Sequence, residues 1–157
     1  MSFKSYILKL LGRETPRALH GLSDLQPSTP LARFILDRKH LRKTEPRVRP
    51  KSFLPREDPG IGEMALSTFR VDGLQEEMIW EIGQNEIASK AGRSLKGRCD
   101  LPTQVYTTCG LTADFDNQPL RHVNIVGWPQ EEEKRLAIAQ ELAAAVAEQG
   151  TFFSLID

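Results

Sequence analysis

Two short stretches of the chain share one pattern, Arg70-Val71-Asp72 and Arg98-Cys99-Asp100, and a third, His122-Val123-Asn124, sets an imidazole and an amide at the same spacing. Residues two apart in a strand project to one side of a sheet, so each stretch presents two polar groups together and turns the residue between them away. If the three strands are neighbours, Arg70, Asp72, Arg98, Asp100, His122 and Asn124 form a single polar patch. Guanidinium groups grip phosphate or carboxylate through paired hydrogen bonds, and an imidazole exchanges a proton near neutral pH. Arg70, Arg98 and His122 are therefore the candidate catalytic residues. The same residues also have a plain structural use, because Arg/Asp pairs on the solvated side of a sheet are ordinary cross-strand partners.

Other chemistries find less support. The chain has no glycine-rich phosphate loop, no G-x-S-x-G elbow and no metal-ligand spacing, and its composition implies no cofactor. Its two cysteines, Cys99 and Cys109, make neither a C-x-x-C pair nor a disulfide framework, which favours a reduced, cytoplasmic setting. Either thiol paired with His122 would be a nucleophile, yet lone cysteines mostly serve as small core residues. His20 and His40 stand far from His122 in sequence. Trp128, between Gly127 and Pro129, reads either as core or as an exposed binding anchor.

The elements that would position these residues follow from periodicity. Residues 66–71 and 122–126 alternate as strands, with shorter strands expected near 94–101, 111–115 and 152–156. Between them, residues 75–89 place Met78, Ile79, Ile82 and Ile87 near one helical face. A second helix opens at Pro102-Thr103 and stops at Cys109-Gly110. Asp116-Asn117-Gln118-Pro119 is turn-like. The last helix has Glu131–Glu133 at its positive end, an inner stripe of Leu136, Ala139, Leu142, Ala143 and Val146, and Gly150 as its stop. Together these predict an acidic α+β domain over residues 51–157, a compact sheet of about four strands with packed helices.

The preceding residues differ in kind. Residues 1–56 hold 13 Lys/Arg against 4 Asp/Glu, whereas residues 57–157 hold 8 against 17, and seven of the ten prolines fall between Pro16 and Pro59. This predicts a basic, proline-rich arm over residues 1–50. Two short amphipathic helices are expected in it, one with Phe3, Ile7, Leu10 and Leu11 on a face, and one capped by Ser28-Thr29-Pro30 with Leu31, Phe34, Ile35 and Leu41. Arg38, Lys39, Arg42, Lys43, Arg47 and Arg49 are the candidate binding residues, for an acidic face of a larger protein partner or, alternatively, the phosphates of nucleic acid. No apolar run is long enough to span a membrane, and the short apolar segment broken by Lys9 does not read as a secretory signal.

The segments LSTFRVDGL, EEMIWEIG, LKGRCDL and RHVNIVGWP, followed by KRLAIAQELAAAVA, resemble small bacterial proteins to which no activity is assigned, over roughly residues 66–147. That resemblance implies a bacterial, intracellular, single-domain body. Phe69-Arg70 followed by the helix at Gln75 resembles the strand-then-helix order of small ADP-ribosyltransferase-like domains, which implies an enzyme acting on a nucleotide or other anionic substrate. The leading expectation is a non-enzymatic accessory protein whose arm docks on a larger, nucleoprotein-type assembly. The enzyme is the alternative.

Overall fold

The segment PLARFI buries Leu31 and Ile35 to one side and Ala32 and Phe34 to the other, the signature of a strand covered on both faces. The structure, a computed structural model, describes residues 22–156. In it this segment is β1 (Pro30–Ile35), an inner strand of a seven-stranded sheet. The other strands are β2 (Arg56–Asp58), β3 (Glu63–Arg70), β4 (Gly97–Pro102), β5 (Thr112–Asp114), β6 (His122–Val126) and β7 (Thr151–Ser154). Their order is β5-β6-β3-β1-β4-β7, with β2 added on β3 as a hairpin, and every pairing is antiparallel.

The α+β class is as expected, but the sheet has seven strands, not about four. The expected helix at Ser28-Thr29-Pro30 does not form. Thr29 instead closes a turn, its Oγ accepting from Gln26 N at 2.9 Å, and its carbonyl accepts from Thr103 N at 2.9 Å and Thr103 Oγ1 at 2.8 Å. Those bonds lead Pro30 into the sheet, where β1 pairs with β3 on one side and β4 on the other. A division at residue 50 would therefore cut an inner strand out of the sheet.

The proline-rich tract is likewise not a free connector. Short 3-10 turns at Arg38–His40 and Pro50–Phe53 flank a bridge between Leu41 and Val48, and Val48 and Phe53 are fully buried. Proline suits such turns because its missing donor is not called on, and the few apolar residues of the tract are enough to anchor it. The first expected amphipathic piece, with Phe3, Ile7, Leu10 and Leu11, lies outside the described residues.

Helices cover the sheet from both sides. α1 (Glu76–Ile82) continues through a wider π-helical stretch, Gly83–Ala88, into α2 (Ser89–Ala91), where Gly92 at φ 65° ends it. Its Met78, Ile79 and Ile82 pack on Ala32, Phe34 and Phe69. Gly83 makes that contact close, since a Cβ there would stand 2.5 Å from the Phe34 ring. α3 (Thr103–Thr108) is short. α4 (Glu132–Gln149) covers the other face, burying Ala139, Leu142, Ala143 and Val146 among residues such as Leu31, Leu66, Cys99, Val123 and Ile125. Leu136, expected in this stripe, is 41% exposed, so the buried stripe starts at Ala139.

Candidate functional site

Strand register decides which polar residues meet. Phe69 pairs with His122 and with Ala32, and Ala32 pairs with Asp100, so His122 and Asp100 lie on the α1 face of the sheet. Ser67 with Asn124, and Phe34 with Arg98, lie on that face too. Arg70 pairs with Leu31 and has the opposite parity. The expected single patch is thus divided. Arg98 and His122 share a face but stand on β4 and β6, three strand steps or about 14 Å apart, with Phe34 and Phe69 between them.

Two of the three catalytic candidates are committed to structure. Arg70 is 1% exposed; its Nε and Nη2 each donate to the Asp72 carboxylate at 2.9 Å, and Nη1 donates to Ser23 O at 2.6 Å. Phe115 lies under its guanidinium. Arg121, at φ 73°, extends this clamp by donating to the carbonyls of Asp72 at 2.9 Å and Arg70 at 3.3 Å, and burial lowers its pKa to about 10. Arg98, also 1% exposed, grips Glu76 with two bonds of 2.8 Å, contacts Asp100, and is enclosed between the rings of Trp80 and Phe153. That arrangement fastens α1 to β4 and β7 and leaves little of the guanidinium for a ligand.

His122 is different. Its Nδ1 is 2.8 Å from Asp116 Oδ1, and its Nε2 is 2.7 Å from Ser67 Oγ. A carboxylate only accepts, so Nδ1 carries the proton and donates to Asp116. In the neutral ring Nε2 is then an acceptor, and Ser67 donates its hydroxyl hydrogen to it. Ser67, His122 and Asp116 stand in the hydroxyl–imidazole–carboxylate order that can make a serine hydroxyl nucleophilic. Asn124 Nδ2 donates to the other carboxylate oxygen, Asp116 Oδ2, at 3.3 Å, and so steadies it.

Local chain geometry explains why these groups meet. Ser67 and His122 are diagonal neighbours on β3 and β6, and Phe69, opposite His122, sets its ring edge-on to the imidazole at 5.2 Å. After β5 the chain turns back through Asp116, Asn117 and a cis Gln118–Pro119 bond. Asn117 N donates to His122 O at 3.1 Å, His122 N to Pro119 O at 2.9 Å, and Arg121 N to Asn117 Oδ1 at 2.7 Å. This laced turn holds the Asp116 side chain over the imidazole.

The relay opens on a cleft of about 760 Å³. Ser67, His122 and Asn124 line it together with Arg33, the β2–β3 hairpin, Ile87 and Arg93. β1 and β3 pair only at Leu31–Arg70 and Ala32–Phe69, and Arg33 bridges the strands where they part. Its Nη1 donates to Ser67 O at 3.1 Å and its Nε to Ser52 O at 2.9 Å. Burial lowers its pKa, and among the described residues no carboxylate pairs with it.

The remaining candidates fall elsewhere. Trp128 is buried and donates its indole N–H to Ile125 O at 2.9 Å, which makes it core and not an exposed anchor. Cys99 is buried on the α4 side, away from His122, and burial pushes its thiol far up. Cys109 donates to Glu141 at 3.4 Å, and burial with that carboxylate raises its pKa to about 11. Neither forms a pair with His122. Arg38, Lys39, Lys43, Arg47 and Arg49 are exposed, Arg47 lying over the Phe152 ring, while Arg42 is half-buried. Among the described residues no cluster of His, Cys, Asp and Glu is arranged to hold a metal ion, and no helix is long and apolar enough to cross a membrane.

The strand alternation places His122 and Asn124 on one face, as the structure does, but nothing in it points to Ser67 or Asp116 as their partners. Ser67 falls within the alternation of LSTFRV, and Asp116 carries in the sequence only the signal of a turn former. The available signal was an acid opening the turn that returns into the histidine-bearing strand. No protein-family model, curated protein or solved structure matches the chain.

Proposed function

We propose that the cleft is the active site of a small hydrolase that cleaves an acyl ester through Ser67. The observation that carries this reading is the Ser67–His122–Asp116 relay, with 2.7 and 2.8 Å links, opening on a ligand-sized cleft. Ser67 Oγ attacks the ester carbonyl carbon while His122 Nε2 takes its proton. The proton passes to the leaving alkoxide oxygen, the C–O bond breaks, and an alcohol departs from an acyl-Ser67. Water, deprotonated by His122, then attacks that acyl group, and the acid leaves as Ser67 recovers its proton. Asp116 holds the productive tautomer and steadies the imidazolium, and Asn124 holds Asp116. Arg70 and Arg98 serve the fold in this reading.

The test is 4-nitrophenyl butyrate turnover together with fluorophosphonate labelling, mapped by mass spectrometry. The label is expected on Ser67, and Ser67→Ala is expected to lose about 10⁴-fold in kcat with an unchanged melting temperature. A chain that neither turns over the ester nor takes the label ends this reading.

A second reading, an accessory protein bound to a larger partner, is favoured by a separate observation. Arg38, Lys39, Lys43 and Arg49 are exposed in the folded tract, and among the described residues none of them pairs with a carboxylate. Such a face suits an acidic or phosphate-bearing surface. If the partner is nucleic acid, the logarithm of affinity falls linearly with the logarithm of salt, by about 0.9 per phosphate contacted, and a flat response excludes it.

A further inference from the structure

Three arginines that make no ion pair among the described residues line the cleft, Arg33, Arg56 and Arg93, and the first two lie beside Ser67, one through a hydrogen bond to its carbonyl and the other on the hairpin partner of its strand. Arg33 has the parity of Leu31 and Cys99, opposite to Ser67, but its guanidinium lies where β1 and β3 part, donating to Ser67 O at 3.1 Å and, among the described residues, otherwise only to the Ser52 carbonyl. Two backbone dipoles fix its direction without cancelling its charge, which is costly to leave in a partly buried position. Arg56 stands opposite Ala65 on the β2–β3 hairpin. Ala65 and Ser67 are two apart on β3, so Arg56 projects on the same face as Ser67, about 7 Å along the strand. It is exposed, and among the described residues it has no side-chain hydrogen bond or ion pair.

The acids that also line the cleft do not offset this pair. Asp58 stands opposite Glu63, about 13 Å along the strand from Ser67, and its carboxylate accepts from Gly60 N at 2.9 Å. Asp37 is occupied by Lys39 N at 2.9 Å and by His40 at 3.8 Å. Glu57, which pairs with Met64, makes no ion pair with either arginine among the described residues.

Building on the hydrolase reading, we infer that the acyl group cleaved at Ser67 carries an anion on a short arm, seated between Arg33 and Arg56. A guanidinium pair recognises carboxylate and phosphate alike. An arm of about two or three methylenes, at ~1.5 Å per bond, spans the distance from an attacked carbonyl to that seat. The substrate class is therefore a monoester of a dicarboxylic acid, or its phosphate-bearing counterpart, and Arg33 and Arg56 are the residues that select it.

The experiment compares the full chain on monoethyl succinate and on ethyl butyrate, followed by titration of released acid. The charged ester is expected to show at least about tenfold higher kcat/KM, mostly through KM, and this advantage is expected to shrink as salt rises. Arg56→Ala is expected to lower kcat/KM for the charged ester about tenfold more than for the neutral one, and Arg56→Glu to reverse the preference. A parallel measurement needs no turnover: Ser67→Ala protein should bind free succinate, and also carrying Arg56→Glu should abolish that binding. Equal kcat/KM for the two esters, or a preference indifferent to both Arg56 substitutions, overturns the anion seat while ester hydrolysis stands. Succinate binding that needs Arg56, with neither ester cleaved and no label on Ser67, instead overturns hydrolysis and upholds the seat. A phosphate-terminated ester preferred over the succinate would place the substrate on the phosphate side of the same class.

Discussion

At the scale of single residues, what separates His122 from Arg70 and Arg98 is spare capacity. Each of the two arginines is almost wholly buried, and its donors are met by acids and carbonyls of the fold. His122 is buried too, yet its Nε2 meets a hydroxyl that lines an open cleft. Asp116→Asn isolates the orienting role. An amide can donate to Nδ1, which would move the ring proton to Nε2 and remove the acceptor that Ser67 needs. The substitution is expected to lower kcat by about 10⁴-fold while fluorophosphonate labelling of Ser67 slows in parallel. Labelling at the normal rate would assign Asp116 to holding the turn alone.

At the scale of elements, α1 is fastened to the sheet by both packing and charge. Met78, Ile79 and Ile82 meet the apolar centre, and at the helix start Glu76 takes two hydrogen bonds from Arg98. Those bonds hold the Glu76 carboxyl below its ordinary range. A lowered folded value stabilises above the unfolded pKa and is lost as pH falls through the folded one. Glu76→Gln is therefore expected to cost about 1 kcal/mol at neutral pH, discounted because the Glu76 side chain is 56% exposed. The difference from the parent chain should fade as pH drops below the ordinary glutamate value of about 4.3. Urea unfolding at several pH values checks it, and a constant difference across the range would remove the ion pair as its cause.

At the scale of the whole molecule, the described portion of the basic part is built into the same sheet and core as the acidic part. β1 comes from the basic part and lies between β3 and β4, and the tract after it buries Val48 and Phe53 in the core that includes α4 residues. A chain beginning at residue 51 lacks the strand that joins the two sides of the sheet. It is expected to show no cooperative unfolding transition, and a sharp one would restore residue 50 as a boundary. The same interleaving creates the cleft, since Arg33 and Arg56 come from the basic part while Ser67, His122 and Asp116 come from the acidic part.

The sequence by itself determined the elements whose evidence is local. The alternation of His122–Val126, the apolar spacing of α1, the turn at Asp116–Pro119 and the long final helix with its Gly150 stop all rest on neighbours within a few residues. It also marked His122 and Asn124 as polar residues on one face. It misled at β1, where Ser28-Thr29-Pro30 carries helix-start signals that the pairing with β3 and β4 overrides, and at Leu136, where helical spacing shows which side is apolar but not where the sheet ends. Only the tertiary structure decided the site. Face sharing between distant strands depends on register, a one-residue shift reverses it, and register is set by pairings across 55 residues for Ser67 and His122. That register turned Arg70 away, kept Arg98 three strands off, and brought an overlooked serine and a turn aspartate to the two nitrogens of His122.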